Sequence, residues 1–218
     1  MKPYKAFLFD LNGTMIDDMH YHIQAWHGIL NSLGANISLA KMKEECYGKN
    51  TELLERIFPN RFTNVEKDTM SLEKEKQYQQ AYRPNLQLIN GLDNFLEKTH
   101  KAGIKMAIGS AAILFNIDFV LDGLGIRKYF DVLVSADDVT DSKPNPETYL
   151  QCAAKLGIAA ADCLVFEDVP KGVEAAMHAN MDAVVITTMH HKEEFEKCSN
   201  VISFIANYND KTLPKLIQ

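Results

Sequence analysis

Asp10 ends the apolar run Lys5-Ala6-Phe7-Leu8-Phe9 and opens the turn Asp10-Leu11-Asn12-Gly13-Thr14. In an open α/β sheet, groups at the carboxyl end of a strand face the ligand crevice. Asp10 is thereby placed for nucleophilic work, with residue 12 beside it. Three more polar turns follow apolar runs or open the next helix. Gly109-Ser110-Ala111 comes directly after IKMAI, Lys143-Pro144-Asn145-Pro146-Glu147 opens a helix beyond DVLV, and Glu167-Asp168-Val169-Pro170-Lys171-Gly172 comes directly after CLVF. Together they supply a carboxylate nucleophile, a small hydroxyl, an ammonium and an acidic pair, which suit phosphoryl transfer to an aspartate. Mg²⁺ favours a carboxylate, a carbonyl and waters, which Asp10, the Asn12 main chain and Asp168 can offer. Lys143 and Ser110 can hold the non-bridging phosphate oxygens and offset developing charge. Each part alone has a plain reading. Asp10 or Ser110 can cap a helix, Lys143 can be a solvated surface charge, and Glu167-Asp168 can complement a helix dipole. Only the joint occurrence at strand ends, in order, points to a site.

The elements that must position these residues follow from hydrophobic patterning. Runs 5–9, 104–108, 131–134, 163–166 and 183–187 have strand character, and segments 91–102, 113–124, 146–156 and 171–179 have helical spacing. Alternation of this kind predicts an α/β fold, a Rossmann-like doubly wound parallel sheet. Continuous apolar strands fit burial on both faces. Segment 17–83 has no convincing strand and shows helical patterns around 19–33, 39–46, 50–58 and 65–82. It reads as a small helical cap inserted into a core of residues 1–16 and 84–218. Arg83-Pro84-Asn85 marks the return, because the residue before a proline is pushed out of helix.

Composition narrows the function classes. The 218 residues carry a net charge of −6 with no basic stripe, which argues against a nucleic-acid partner. No apolar run approaches a membrane span, and no signal-peptide pattern opens the chain, so a cytoplasmic protein is expected. Cys46, Cys152, Cys163 and Cys198 are scattered without metal-ligand spacing and read as free thiols. A monomer is expected.

The motifs DLNGT, GSAA, KPNPE and FEDVPKG, in this order, resemble those of the haloacid dehalogenase superfamily of phosphotransferases. The run Asp18-Met19-His20-Tyr21-His22-Ile23-Gln24-Ala25-Trp26, with KPNPE and EDVPKG, is most similar to its β-phosphoglucomutase and small-molecule phosphatase branch. The resemblance implies Asp10 as the nucleophile forming an aspartyl-phosphate. It implies Ser110 and Lys143 as phosphate binders, with Ala111 in the same turn. It also implies Mg²⁺ held by Asp10, the Asn12 main chain and Asp168, with Glu167 as an inner or outer partner of the metal. The substrate would be a small phosphorylated metabolite, in particular a sugar phosphate, selected by a cap that closes and excludes water.

Two positions depart from that pattern. Most family phosphatases and mutases carry an aspartate at position 12 as general acid and base, and Asn12 can be neither. Its loss costs roughly 10²–10⁴ in rate when the leaving group needs a proton, and far less for acyl phosphates or pyrophosphate. The chain can be specialised for such leaving groups, or another group (Asp18, His20 or His22) can supply the proton. Asn12 can also be an introduced substitution, or Asn12-Gly13 can deamidate. The second departure lies in Gly48-Lys49-Asn50-Thr51-Glu52, where Thr51 aligns with the mutases' phosphate-gripping arginine. Lys49 is a candidate substitute but lacks the planar fork. Phosphatase activity is therefore ranked above a β-phosphoglucomutase-like isomerase, with a phosphometabolite-binding protein of little turnover as the further alternative. His22 and Trp26, four apart, share a helix face and either look into the cleft or pack the cap.

Overall fold

The computed structural model describes residues 2–217. Its contacts divide the chain into two compact units, one running to Asp17 and resuming at Gln87, the other spanning Asp18–Leu86. The sequence placed that second boundary at Arg83-Pro84-Asn85. Those residues instead form a short 3₁₀ turn that directly continues the last helix of the second unit.

The first unit is built on a sheet of β1 (Ala6–Phe9), β2 (Lys105–Gly109), β3 (Val132–Val134), β4 (Cys163–Glu167), β5 (Asp182–Ile186) and β6 (Val201–Ile205). The spatial order is β3-β2-β1-β4-β5-β6 and every pairing is parallel. β6 was not anticipated from the sequence. It is an edge strand, partly exposed along most of its length and interrupted by Ser203, so it lacks the continuous apolar signature of the buried strands. The chain leaves β1 toward β2 and leaves β4 toward β5. The order therefore reverses between two neighbouring central strands, where α/β proteins bind ligands.

Side chains alternate across the strands, and the two faces have different characters. Ala6, Leu8, Ala107, Val165, Ala183 and Val185 form a small-residue face. Against it pack Tyr149 and Cys152 of α7 (Glu147–Leu156) and Val173 and Ala176 of α8 (Pro170–His178). The opposite face is aromatic. Phe7, Phe9 and Phe166 stack with Phe95 and Tyr208, with ring centroids 4.7–6.5 Å apart. Such pairs add about 0.5–1.5 kcal/mol each beyond their burial, and they hold the strands whose ends carry Asp10 and Glu167.

The Asp18–Leu86 unit contains α1 (Met19–Ser32), α2 (Leu39–Glu45), α3 (Asn50–Ile57) and α4 (Asn64–Tyr82). Thr63 and Glu66 form a reciprocal capping box that starts α4. Trp26, Leu30, Met42, Leu53, Leu54, Tyr78 and Tyr82 are buried, and so are Asp18, His22, Lys74 and Glu75.

In the first unit the packing between β4 and α8 is tight. A Cβ added to Gly172 would lie 1.7 Å from Glu167 Oε1, and Glu167 is fully buried. Alanine gains helix propensity of up to about 1 kcal/mol, but overpacking costs about 1–3 kcal/mol and Glu167 cannot swing away. Gly172→Ala is therefore expected to lower stability in urea titrations; an unchanged midpoint would contradict this packing.

Candidate active site

The turn after β1 is stitched closed by its own backbone. Gly13 N–H donates to Ile16 O at 2.8 Å, and Met15 N–H donates to Leu11 O at 2.8 Å. Gly13 sits at φ +76°, and a Cβ there would lie 2.0 Å from Asp168 Oδ2. Glycine is required twice over, by its backbone conformation and by this close approach. The register pairs Phe9 with Phe166, and Asp10 N–H donates to Phe166 O at 3.0 Å. Asp10 and Glu167 thus leave adjacent strands side by side.

Lys143 joins them. Its Nζ donates to Asp10 Oδ1 at 2.6 Å and to Glu167 Oε1 at 2.7 Å, and all three residues are buried. Glu167 is held from every side. Tyr149 OH donates to Oε1 at 2.9 Å, while the Asp168 and Val169 N–H groups donate to Oε2 at 2.9 and 3.0 Å. The Lys143 ammonium also lies 4.7 Å from the centre of the Tyr149 ring, within cation–π range. Asp168 accepts from Thr14 Oγ1 on Oδ1 at 2.9 Å. Its Oδ2 is buried and has no hydrogen-bond partner among the described residues.

Three buried carboxylates with one ammonium set the electrostatics. Burial pushes the Asp10 carboxyl up to about 7, although the Lys143 ammonium draws it down. Burial, with the charges of Glu167 and Asp10, pushes Asp168 well above the usual carboxylate range. Burial works against the Lys143 charge, but Asp10 and Glu167 overcome it and hold Lys143 above its ordinary value.

The donor set suits a hard divalent cation. Ionised, the cluster carries two more negative charges than positive ones, and an Asp168 oxygen lacks a protein partner. No group of three or more His, Cys, Asp or Glu side chains among the described residues is arranged to hold a metal. Mg²⁺ needs no such cage, since it is commonly held by one or two carboxylates plus waters. Asp10, Asp168 and the Asn12 carbonyl fit that role. Glu167, expected as a metal partner, does not fit as a direct ligand. Both its oxygens are occupied, and it anchors Lys143 instead.

The remaining sequence candidates divide between the units. Ser110 is buried directly after β2; its N–H donates to Val134 O at 3.0 Å and its Oγ accepts from Ala112 N–H at 3.2 Å. Ala111 beside it is half-buried, as is Asn12. His22 and Lys49 belong to the helical unit. His22 Nε2 lies 3.2 Å from Asp18 Oδ2, its Nδ1 lies 2.5 Å from Lys74 Nζ, and its ring stacks on Tyr78. Lys49 precedes α3, and its N–H donates to Glu52 Oε2 at 3.0 Å. The sequence reading missed Tyr149, and it missed Thr188 and Tyr208, which hold the turn after β1. Thr188 Oγ1 donates to Gly13 O at 2.7 Å and Tyr208 OH to Thr14 O at 3.1 Å. Thr14 stood in the first motif without a role. Tyr149 followed KPNPE closely enough to be noticed; Thr188 and Tyr208 carried no local signal.

The sequence profile described as "Haloacid dehalogenase-like hydrolase" matches residues 7–186. The chain belongs to the haloacid dehalogenase-like hydrolase family. It is 29% identical over 181 residues to the fructose-1-phosphate phosphatase YqaB of Escherichia coli, covering 83% of this chain and 95% of that one. It is 30% identical over 188 residues to the β-phosphoglucomutase of Bacillus subtilis, covering 83% and 82%. The crystal structure of a β-phosphoglucomutase from Clostridium difficile superposes with a TM-score of 0.84 at 28% identity, covering 98% of this chain and 96% of that one. The chain is thus a phosphatase or phosphomutase type of enzyme.

Proton and cation should compete at this cluster. Asp10 and Asp168 hold protons more tightly folded than unfolded, where carboxyls titrate at about 4. Without metal, their contribution to stability is full below that value and is lost as pH rises, through about 7 for Asp10. A bound cation reverses this by favouring the ionised forms. The rise in Tm on adding MgCl₂ should therefore be larger at about pH 8 than at about pH 5. An equal or smaller rise at the higher pH would contradict the assigned ligands.

Proposed function

We propose that the protein is a magnesium-dependent phosphohydrolase of small phosphorylated metabolites, with sugar and polyol phosphates as the substrate class, acting through an aspartyl-phosphate on Asp10. The observation that carries this reading is the buried Asp10–Lys143–Glu167 chain beside an Asp168 oxygen that lacks a protein partner. A carboxylate oxygen of Asp10 attacks phosphorus as the bond to the leaving oxygen breaks. Water then attacks the phosphorus of the aspartyl-phosphate, releasing phosphate and restoring Asp10. Lys143, fixed by Glu167 and the Tyr149 ring, provides positive charge beside the transferring group. Asp10, Asp168 and the Asn12 carbonyl would hold magnesium, which would supply charge neutralisation at the phosphoryl oxygens. Ser110, at the end of a neighbouring strand, is the second phosphate contact. The substrate class rests on relatives named fructose-1-phosphate phosphatase, hexitol phosphatase and β-phosphoglucomutase.

Asn12 sets the range of this reaction. An amide has no proton to give an alkoxide at neutral pH, so the departing sugar oxygen must take its proton from solvent. Leaving groups that are stable as anions need none. Position 12 also favours the phosphatase over the mutase reading, because phosphate transfer to a second sugar hydroxyl calls for a base at that place. A binding protein with little turnover is the second reading, and Asn12 is again the observation that favours it.

Magnesium-dependent phosphate release should be compared for this protein and Asn12→Asp on acetyl phosphate, pyrophosphate and several hexose and hexitol phosphates. The protein should cleave acetyl phosphate well and sugar phosphates slowly. The variant should gain roughly 10²–10⁴ on the sugar phosphates and little on acetyl phosphate. Equal sugar-phosphate rates would mean that another residue supplies the proton. No release by either protein from any substrate would overturn the reading in favour of binding.

A further inference from the structure

The chain contains two Asn-Gly pairs, Asn12-Gly13 and Asn90-Gly91. Such pairs deamidate by one route. The glycine nitrogen attacks the asparagine Cγ, ammonia leaves and a five-membered succinimide forms. Water then opens the ring at either carbonyl, giving Asp or isoAsp. The net change is Asn plus water to Asp or isoAsp plus ammonia, with no redox step. Ring closure requires the glycine N–H to lose its proton and the peptide plane to turn toward the side chain.

We infer that the fold assigns opposite fates to the two pairs: Asn90 is a deamidation site of the native protein, and Asn12 is shielded and remains an amide. At Gly13 every requirement for ring closure is opposed. Its N–H donates to Ile16 O at 2.8 Å, and Thr188 Oγ1 clamps its carbonyl at 2.7 Å. The residue is buried with the Asp168 carboxylate against it, so the plane has no room to turn. The next carbonyl, of Thr14, is held by Tyr208 OH. IsoAsp at position 12 would also add a backbone atom to this turn and break the Asn12–Ile16 bridge.

Asn90-Gly91 lacks two of these restraints, the hydrogen bond on the glycine nitrogen and the burial, although Asn209 crowds Gly91 as Asp168 crowds Gly13 (a Cβ there would lie 2.5 Å from Asn209 Oδ1). Asn90 is exposed, Gly91 is half-buried, and the Gly91 N–H donates to no acceptor among the described residues. The bonds nearby leave the attacking nitrogen untouched: Tyr208 N–H donates to Asn90 O, and Phe95 N–H to Gly91 O. Gly91 also has a positive φ, so backbone conformation does not separate the pairs. The hydrogen bond on the glycine nitrogen and burial do. The product carboxyl at position 90 would precede the N-terminus of α5 (Leu92–Lys101), a favourable place for negative charge.

The test is peptide mapping by mass spectrometry after incubation of the intact protein at mildly alkaline pH, with a parallel sample in guanidinium chloride. It reads mass and isoAsp content, so it is independent of the proposed activity. In the native protein Asn90 should convert at least about tenfold faster than Asn12, because Asn12 reacts only through local opening. In guanidinium the two should convert at comparable rates. Native rates within a few-fold of each other would overturn the inference, as would an Asn12 rate equal in the native and unfolded samples.

Discussion

One ammonium shared between two buried carboxylates organises the first unit. Burying Asp10 and Glu167 unpaired would cost several kcal/mol for each ion, and Lys143 answers both at 2.6 and 2.7 Å. The surroundings exist to keep that arrangement. β1 and β4 are registered so that the two carboxylates emerge together, and two backbone N–H groups with the Tyr149 hydroxyl fix Glu167. Gly172 leaves the space that Glu167 occupies, and Gly13 does the same for Asp168. Burial raises both aspartates above the usual carboxylate range, and one ammonium does not balance three carboxylates, so the cluster suits a divalent cation.

The site was legible in the sequence to the extent that it lies at the ends of apolar strands. DLNGT, KPNPE and FEDVPKG place Asp10, Lys143, Glu167 and Asp168, and these four are brought together. The roles of adjacent residues were less legible. Side chains alternate along a strand, so Glu167, the last residue of β4, and Asp168, the next, point differently. Glu167 turns to Lys143 and Tyr149, while Asp168 turns to Thr14. A pair written side by side therefore divides into an anchor and a metal candidate. Thr188 and Tyr208 were invisible because they reach the turn after β1 across sequence separations of 175 and 194 residues.

The helical unit shows where patterning fails. A surface helix usually buries one apolar stripe, but α4 buries Ser71, Lys74, Glu75 and Gln79 beside Tyr78 and Tyr82. Lys74 contacts His22 at 2.5 Å and Glu75 at 2.9 Å, and Asn50 links Glu75 to the Trp26 indole. The neighbouring ammonium and His22 outweigh burial and hold the Glu75 carboxyl down at about 2. His22 and Asp18, both considered as substitutes for a missing acid, are members of that network.

In the proposed reaction Asp10 takes the phosphoryl unit. The most direct measurement is peptide mapping of protein mixed with acetyl phosphate and magnesium and quenched in acid within the first turnovers. Phosphate is expected on Asp10, absent when magnesium is omitted and absent from Asp10→Asn. Phosphate release without any phosphate on Asp10, or a phosphoryl group found on another residue, would contradict that role.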